Sequence, residues 1–344
     1  MGLFKVLLCT IALLVQSTLA VQLKSKCGKT DITNRNIKNA MKGEFPYHVS
    51  VRKVYENEYC PDGCTVHLCS GVIISEEFVL TTVRCTAGSL EKIKFVYAGD
   101  LVNENILESK KGEQNLRVKK VILHPSYDSK HPRFSPNDIA LLQLENPVKV
   151  TDSVRPIKLP AFNETEISGE IYTVTGWGLN NYDFKKLRYD CVTSNSNKQD
   201  CIGPLRHRLP MYFIPSDQIC VTGENVCTTT MDVGNPLVKF DDNNEAVLIG
   251  IATEPTYEVI VSDRCVMMVF TRISNHLKWI KQYVKINEAS TLRYNNIYLK
   301  IAVGLILFFL LIFALICLCN LCRRCRARRS SRNNHVTSCV QHKE

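Results

Sequence analysis

Internal repetition is missing from this 344-residue chain. No motif recurs at a period of 20 to 50 residues, which excludes solenoids, propellers and repeat arrays. A metal centre is missing as well: Cys322-Arg-Arg-Cys325 has zinc-like spacing, but no second ligand pair accompanies it. No metal and no cofactor is expected. Net positive charge is small outside the C-terminal end. The formal net charge is +10, yet residues 321–344 hold seven Lys or Arg against one Glu, leaving about +4 for the rest. That remainder is too small to argue for nucleic acid as a partner.

What the chain does have begins at its two ends. Residues 1–20 read as a secretory signal peptide: Lys5, an apolar run from Val6 to Val15, then Thr18-Leu-Ala20 as a small-residue cleavage site. Residues 299–319 read as a single transmembrane helix. The nineteen uncharged residues Ile301–Cys319 would span about 28 Å as a helix, against about 30 Å for a bilayer core. Lys300 precedes the run, and Arg323, Arg324, Arg326, Arg328, Arg329 and Arg332 follow it. That asymmetry places residues 320–344 inside as a basic cytoplasmic tail and the bulk of the chain outside, a type I plasma-membrane protein. A lipid-anchor signal would end in its apolar stretch, whereas 25 further residues follow here. The tail either touches anionic inner-leaflet lipid or serves only as a stop-transfer anchor.

Cysteine usage fits that division. Cys9 leaves with the signal, and ten cysteines lie in the external part: Cys27, Cys60, Cys64, Cys69, Cys85, Cys191, Cys201, Cys220, Cys227 and Cys265. An even number in an oxidising compartment implies a disulfide framework. Cys317, Cys319, Cys322 and Cys325, at the membrane boundary, are candidates for palmitoylation. Asn163-Glu-Thr165 is an N-glycosylation sequon in an external loop.

Between the ends, residues 21–42 form a polar leader with no sustained period. From Phe45 onward short β-rich runs alternate with turn residues, among them Tyr47–Val54, Gly71–Ile74, Phe78–Thr82, Lys94–Tyr97, Arg117–Leu123, Ile139–Leu144, Ile171–Gly176, Val247–Ala252 and Val266–Arg272. This predicts an all-β barrel or sandwich. Only Ser274–Val284 reads as a helix, with Leu277, Ile280, Tyr283 and Val284 on one face. Residues 287–298 are a polar stalk.

Seven segments stand in an informative order: Gly43-Glu-Phe-Pro-Tyr-His-Val-Ser50, Cys69 to Cys85, His124-Pro-Ser-Tyr127, Asn137-Asp-Ile-Ala-Leu-Leu142, Val154-Arg-Pro-Ile-Lys-Leu-Pro160, Thr175-Gly-Trp-Gly178 and Val269-Phe-Thr-Arg-Ile-Ser274. Together they resemble the chymotrypsin/trypsin family of serine proteases over residues 43–286. The resemblance implies two six-stranded Greek-key β-barrels with a C-terminal helix and an active site in the cleft between them. It also implies disulfides Cys69–Cys85 and Cys227–Cys265, with Cys201–Cys220 as a third pair. Cys27, Cys60, Cys64 and Cys191 remain open; Cys60-Pro-Asp-Gly-Cys64 could close a tiny loop on itself.

The family's triad needs a nucleophile, a base and a carboxylate that orients the base. Asp138 matches the carboxylate. Arg84 stands at the base position, before the second cysteine, and a guanidinium has five donors and no acceptor. Val233, in Met231-Asp-Val-Gly-Asn-Pro236, stands at the serine position and has no lone pair. Met231 stands where an oxyanion-hole glycine is expected. Two extra residues follow Cys227, and Thr253-Glu-Pro255 replaces the pocket wall. The resemblance further implies that Asp232 would pair with a new amine after cleavage, yet Arg35-Asn-Ile-Lys-Asn39 lacks the usual start. Plain readings stand beside these: Arg84 lying against Asp138 or swinging into solvent, Val233 as packing, Asp138 as a structural acceptor. The expectation is a membrane-anchored, non-catalytic homologue that binds an extracellular protein as receptor, adhesion molecule or scaffold. The alternatives are an endopeptidase with rearranged catalytic residues, and a decoy that binds protease inhibitors or substrates.

Overall fold

The computed structural model describes Cys27, Phe308, Ile312, Ile316 and residues 37–285 except 58–59, 87–92, 100–111, 131–134, 163–167, 179–185, 196, 199–212, 223–231, 242–243, 255–259, 262–263 and 266–267. The chain divides into two units, Met1–Lys285 and Ile286–Glu344.

Six strands of the first unit close into a barrel: β2 (His48–Asn57), β3 (Cys60–Ile73), β4 (Phe78–Thr81), β5 (Ile93–Ala98), β6 (Gln114–Leu123) and β7 (Ala140–Leu144), paired in the order β2-β3-β4-β7-β6-β5. Alternation builds its core. Val49, Val51, Val79, Val96 and Leu142 point inward, and the interleaved Leu80–Leu141 pair is equally buried on the opposite face. β4 and β7 therefore read as continuous apolar runs, as strands covered on both faces do.

A second ring of six follows: β8 (Ile171–Gly176), β9 (Arg188–Ser194), β10 (Gln218–Thr222), β15 (Met268–Arg272), β12 (Ala246–Glu254) and β11 (Pro236–Phe240), closed by β8 pairing with β9. Its core includes Tyr172, Val192, Ile219, Leu237 and Phe270. The ribbon β13 (Ile260–Val261) and β14 (Arg264–Cys265) stands apart. The two barrels expected from the sequence are present.

The leader is partly built into this ring. β1 (Lys38–Asn39) pairs with Tyr189 and Arg188 of β9, and Ile37 packs on the second core. Cys27 is disulfide-bonded to Cys191, 164 positions away. That resolves two of the four cysteines left open. Cys69–Cys85 forms as expected, and Cys64 and Cys220 are also in disulfides. Cys60 and Cys64 both lie on β3, whose register against β2 shifts between Tyr55 and Asn57. Cys201, Cys227 and Asn163 fall outside the described residues.

The connection between the barrels is bonded to both. Ile157 N–H donates to Ile73 O at 2.9 Å, and Leu248 N–H donates to Lys158 O at 2.9 Å. Two helices stand among the described residues of the unit, α1 (Val83–Thr86) and α2 (Ile273–Ile280). α2 buries Ile273, Leu277 and Ile280 along one face. The helix expected to reach Val284 stops at Ile280, and Gln282 and Tyr283 close tighter three-residue bonds to Trp279 and Ile280.

Among the described residues no helix is long and apolar enough to cross a membrane. The expected span 299–319 lies outside them except for Phe308, Ile312 and Ile316, all three helical.

Candidate functional site

Asp138 is the centre of the site. It follows Asn137, whose φ of 61° is a left-handed conformation that asparagine tolerates better than most residues. Asn137 is held there by donating its N–H to Asp217 Oδ2 at 2.7 Å. This turn carries Asp138 into the interior just before β7, where its side chain is fully buried.

A buried carboxylate needs donors, and both barrels supply them. From the first barrel, Arg84 N–H donates to Oδ1 at 2.9 Å. Arg84 sits in α1, which begins at a Thr82 side chain accepting the Cys85 N–H at 3.0 Å, an ordinary helix N-cap. From the second barrel, the Thr253 hydroxyl of β12 donates to Oδ2. The Thr271 hydroxyl of β15 donates to the Asp138 carbonyl at 3.0 Å. Arg84 Nε stands 3.8 Å from Oδ2, with a fifth of its side chain exposed. Of the two plain readings of Arg84, the ion pair is the one found.

Burial raises the Asp138 pKa above the ordinary carboxylate value; the Thr253 hydrogen bond, the Arg84 N–H and the Arg84 charge act against that rise without cancelling it. The pair is thus a poorly compensated buried charge rather than a strong ionic tie.

Val233 arrives on the turn between Asp232 and β11. Its carbonyl accepts from Ser70 N–H of β3 at 2.8 Å, and Gly234 N–H donates to Ala252 O of β12 at 2.7 Å. The Val233 side chain enters the first barrel's core together with Cys69 and Cys85. The three triad positions therefore converge on one region. Around Asp138 the chemistry available is that of a hydrogen-bonded carboxylate with a cation over it; at Val233 it is apolar packing.

Asp232, fully buried, accepts at Oδ1 from Gly178 N–H at 2.9 Å and from Asn235 Nδ2 at 2.8 Å. Beside Asn235 lies the His48 ring, 4.7 Å from the Trp177 ring and bonded through Nδ1 to the Thr175 hydroxyl at 2.7 Å. Burial first, and His67 second, push the His48 pKa down to about 3, so this imidazole is neutral. His67 in turn bonds Ser50 at 2.7 Å. Both histidines are buried.

Sequence reasoning missed Thr253 and Asn235. Thr253 was visible as the first residue of the altered pocket wall but was read for shape, not for its hydroxyl. Asn235 carried no signal apart from its place after Gly234. Met231 and Pro255 lie outside the described residues.

Comparison with known proteins agrees with this architecture. The family profile described as Trypsin matches residues 35–280. The chain is 31% identical over 247 residues to Granzyme F of Mus musculus, covering 70% of this chain and 87% of that protein. It is 29% identical over 223 residues to Granzyme B of Rattus norvegicus, covering 63% and 79%. To Granzyme B of Homo sapiens it is 30% identical over 223 residues, covering 63% and 80%.

Proposed function

The chain belongs to the trypsin family, and from that premise we propose that it is a non-catalytic, membrane-anchored member that acts at the cell surface by binding a protein. The observation that carries this reading is the Arg84–Asp138 pair, at 3.8 Å. A guanidinium stands where a proton acceptor is needed, and it has no lone pair to accept with. Val233 supports it from the other side, since a buried valine offers nothing that could bond to an acyl carbon. The uncharged run Ile301–Cys319 and the arginines behind it support the anchor and its orientation.

One experiment on intact cells expressing the full chain tests the proposal. A membrane-impermeant amine reagent should modify the protein, while a fluorophosphonate serine probe leaves it unlabelled and no peptide is cleaved. Stoichiometric fluorophosphonate labelling would reject the non-catalytic reading in favour of a peptidase with rearranged residues. A domain that the impermeant reagent cannot reach would reject the orientation.

Restoring only the serine should not create activity. Val233→Ser places a hydroxyl in an apolar cluster and should cost about 1–3 kcal/mol of stability. With Arg84 unable to take its proton, the new hydroxyl stays unlabelled. Denaturant midpoints and the same probe read both outcomes.

A further inference from the structure

We infer that the turn carrying Val233 is locked from within by Asn235, so that it holds one conformation whether or not the chain is cut ahead of Ile37. The inference rests on the geometry of Asp232 and does not depend on the proposed function.

The lock has three parts. The first is the buried Asp232 carboxylate, which receives the Asn235 side-chain amide at 2.8 Å and the Gly178 N–H at 2.9 Å. Asn235 is itself fully buried, so its amide is shielded from competing water. A neutral amide supplied from three positions along the chain needs no cleavage to exist.

The second part is backbone stitching. Asn235 N–H donates to Asp232 O at 2.9 Å, and Ala252 N–H donates to Asn235 O at 2.8 Å. With the Gly234 N–H on Ala252 O at 2.7 Å, the turn is bonded to β12 in both directions.

The third part is space made for the amide. A Cβ at Gly176 would lie 2.1 Å from Asn235 Nδ2 and 2.3 Å from Asp232 Oδ1. Those distances are far inside contact, so the bare backbone at Gly176 is what lets the two polar side chains meet.

At the other end, the segment from Ile37 onward is already committed. Ile37 packs on the second core, Lys38 and Asn39 pair with β9, and Ala40 N–H donates to Leu187 O at 2.9 Å. An amine freed at Ile37 would have to strip β1 from the barrel before it could travel to Asp232.

The test uses the full-length chain with residues 33–36 replaced by a site-specific protease sequence whose cut frees the Ile37 amine. The Cys27–Cys191 disulfide lets a gel confirm the cut, with one band unreduced and two reduced. Hydrogen exchange is then followed at the Gly234 and Ala252 amides. The expected result is a rate unchanged within about threefold on cutting, and at least about tenfold faster exchange in Asn235→Ala, cut or uncut. A larger change on cutting the Asn235 protein would overturn the inference. So would an Asn235→Ala variant with undiminished protection. If that variant fails to fold, the cut and uncut Asn235 proteins still decide the matter between them.

Discussion

Gly234→Ala should abolish most of the folded protein, with a loss of about 4 kcal/mol or more. Two independent penalties meet at this position. Its φ of +88° is a left-handed conformation that costs a residue with a Cβ about 1–2 kcal/mol. The added Cβ would also lie 2.1 Å from the carbonyl oxygen of Ser70, and 2.9 Å from the Thr81 hydroxyl. Ser70 cannot retreat, because its own N–H is bonded to Val233 O at 2.8 Å and the Thr81 hydroxyl donates to its carbonyl at 2.8 Å. Gly169→Ala is the control. Its φ is +81°, but nothing lies within 4 Å of the added carbon, so only the conformational cost remains. Denaturant midpoints of the two variants should differ widely; equal midpoints would mean that the turn does not press against β3 as described.

The second large effect concerns Asp138, where removal and neutralisation should have opposite signs. Asp138→Ala leaves the Thr253 hydroxyl and the Arg84 N–H without their acceptor and Arg84 without its counter-charge. Breaking a buried pair in this way costs about 3–5 kcal/mol. Asp138→Asn keeps a group of the same shape that can bond both neighbours, and it removes the charge that burial disfavours. Because burial raises the folded pKa above the ordinary carboxylate value near 3.8, the carboxyl's contribution to stability is fully present below that value. It is lost as pH rises through the folded pKa. Asp138→Asn should therefore be more stable than the parent near neutrality, and the advantage should vanish as pH falls below 3.8. Thermal unfolding at several pH values measures it. An advantage that grew on acidification would show that the ion pair outweighs burial.

Much of this architecture could be read in advance, for identifiable reasons. The β-rich run Ile171–Gly176 and strand β8 share the same bounds. Phe78–Thr81 and Ala140–Leu144 are apolar except for Thr81 and Gln143, because they are covered on both sides. β9, with Arg188, Tyr189 and Asp190 at its start, shows no such pattern; it is a strand because β8 and β10 lie on either side of it. β11 starts at a proline, which argues against a strand when read alone. Cys60-Pro-Asp-Gly has the composition of a turn, yet it continues β3. In the site, Arg84, Asp138 and Val233 were legible because their order along the chain matches a known pattern. Thr253 was not, since a hydroxyl 115 positions from the carboxylate it serves is brought there only by the closing of the second barrel.

The bonded linker between the barrels limits how far they can move apart. Domain closure needs a few connecting residues that can absorb a change in φ and ψ. Here Ile157 is tied to Ile73 and Lys158 to Leu248, and the Lys158 ammonium reaches Asp241 at 2.8 Å. A strap sewn to both halves cannot act as a hinge. The two barrels keep one separation, so a ligand held by both must already match it, in the manner of a key cut before it reaches the lock.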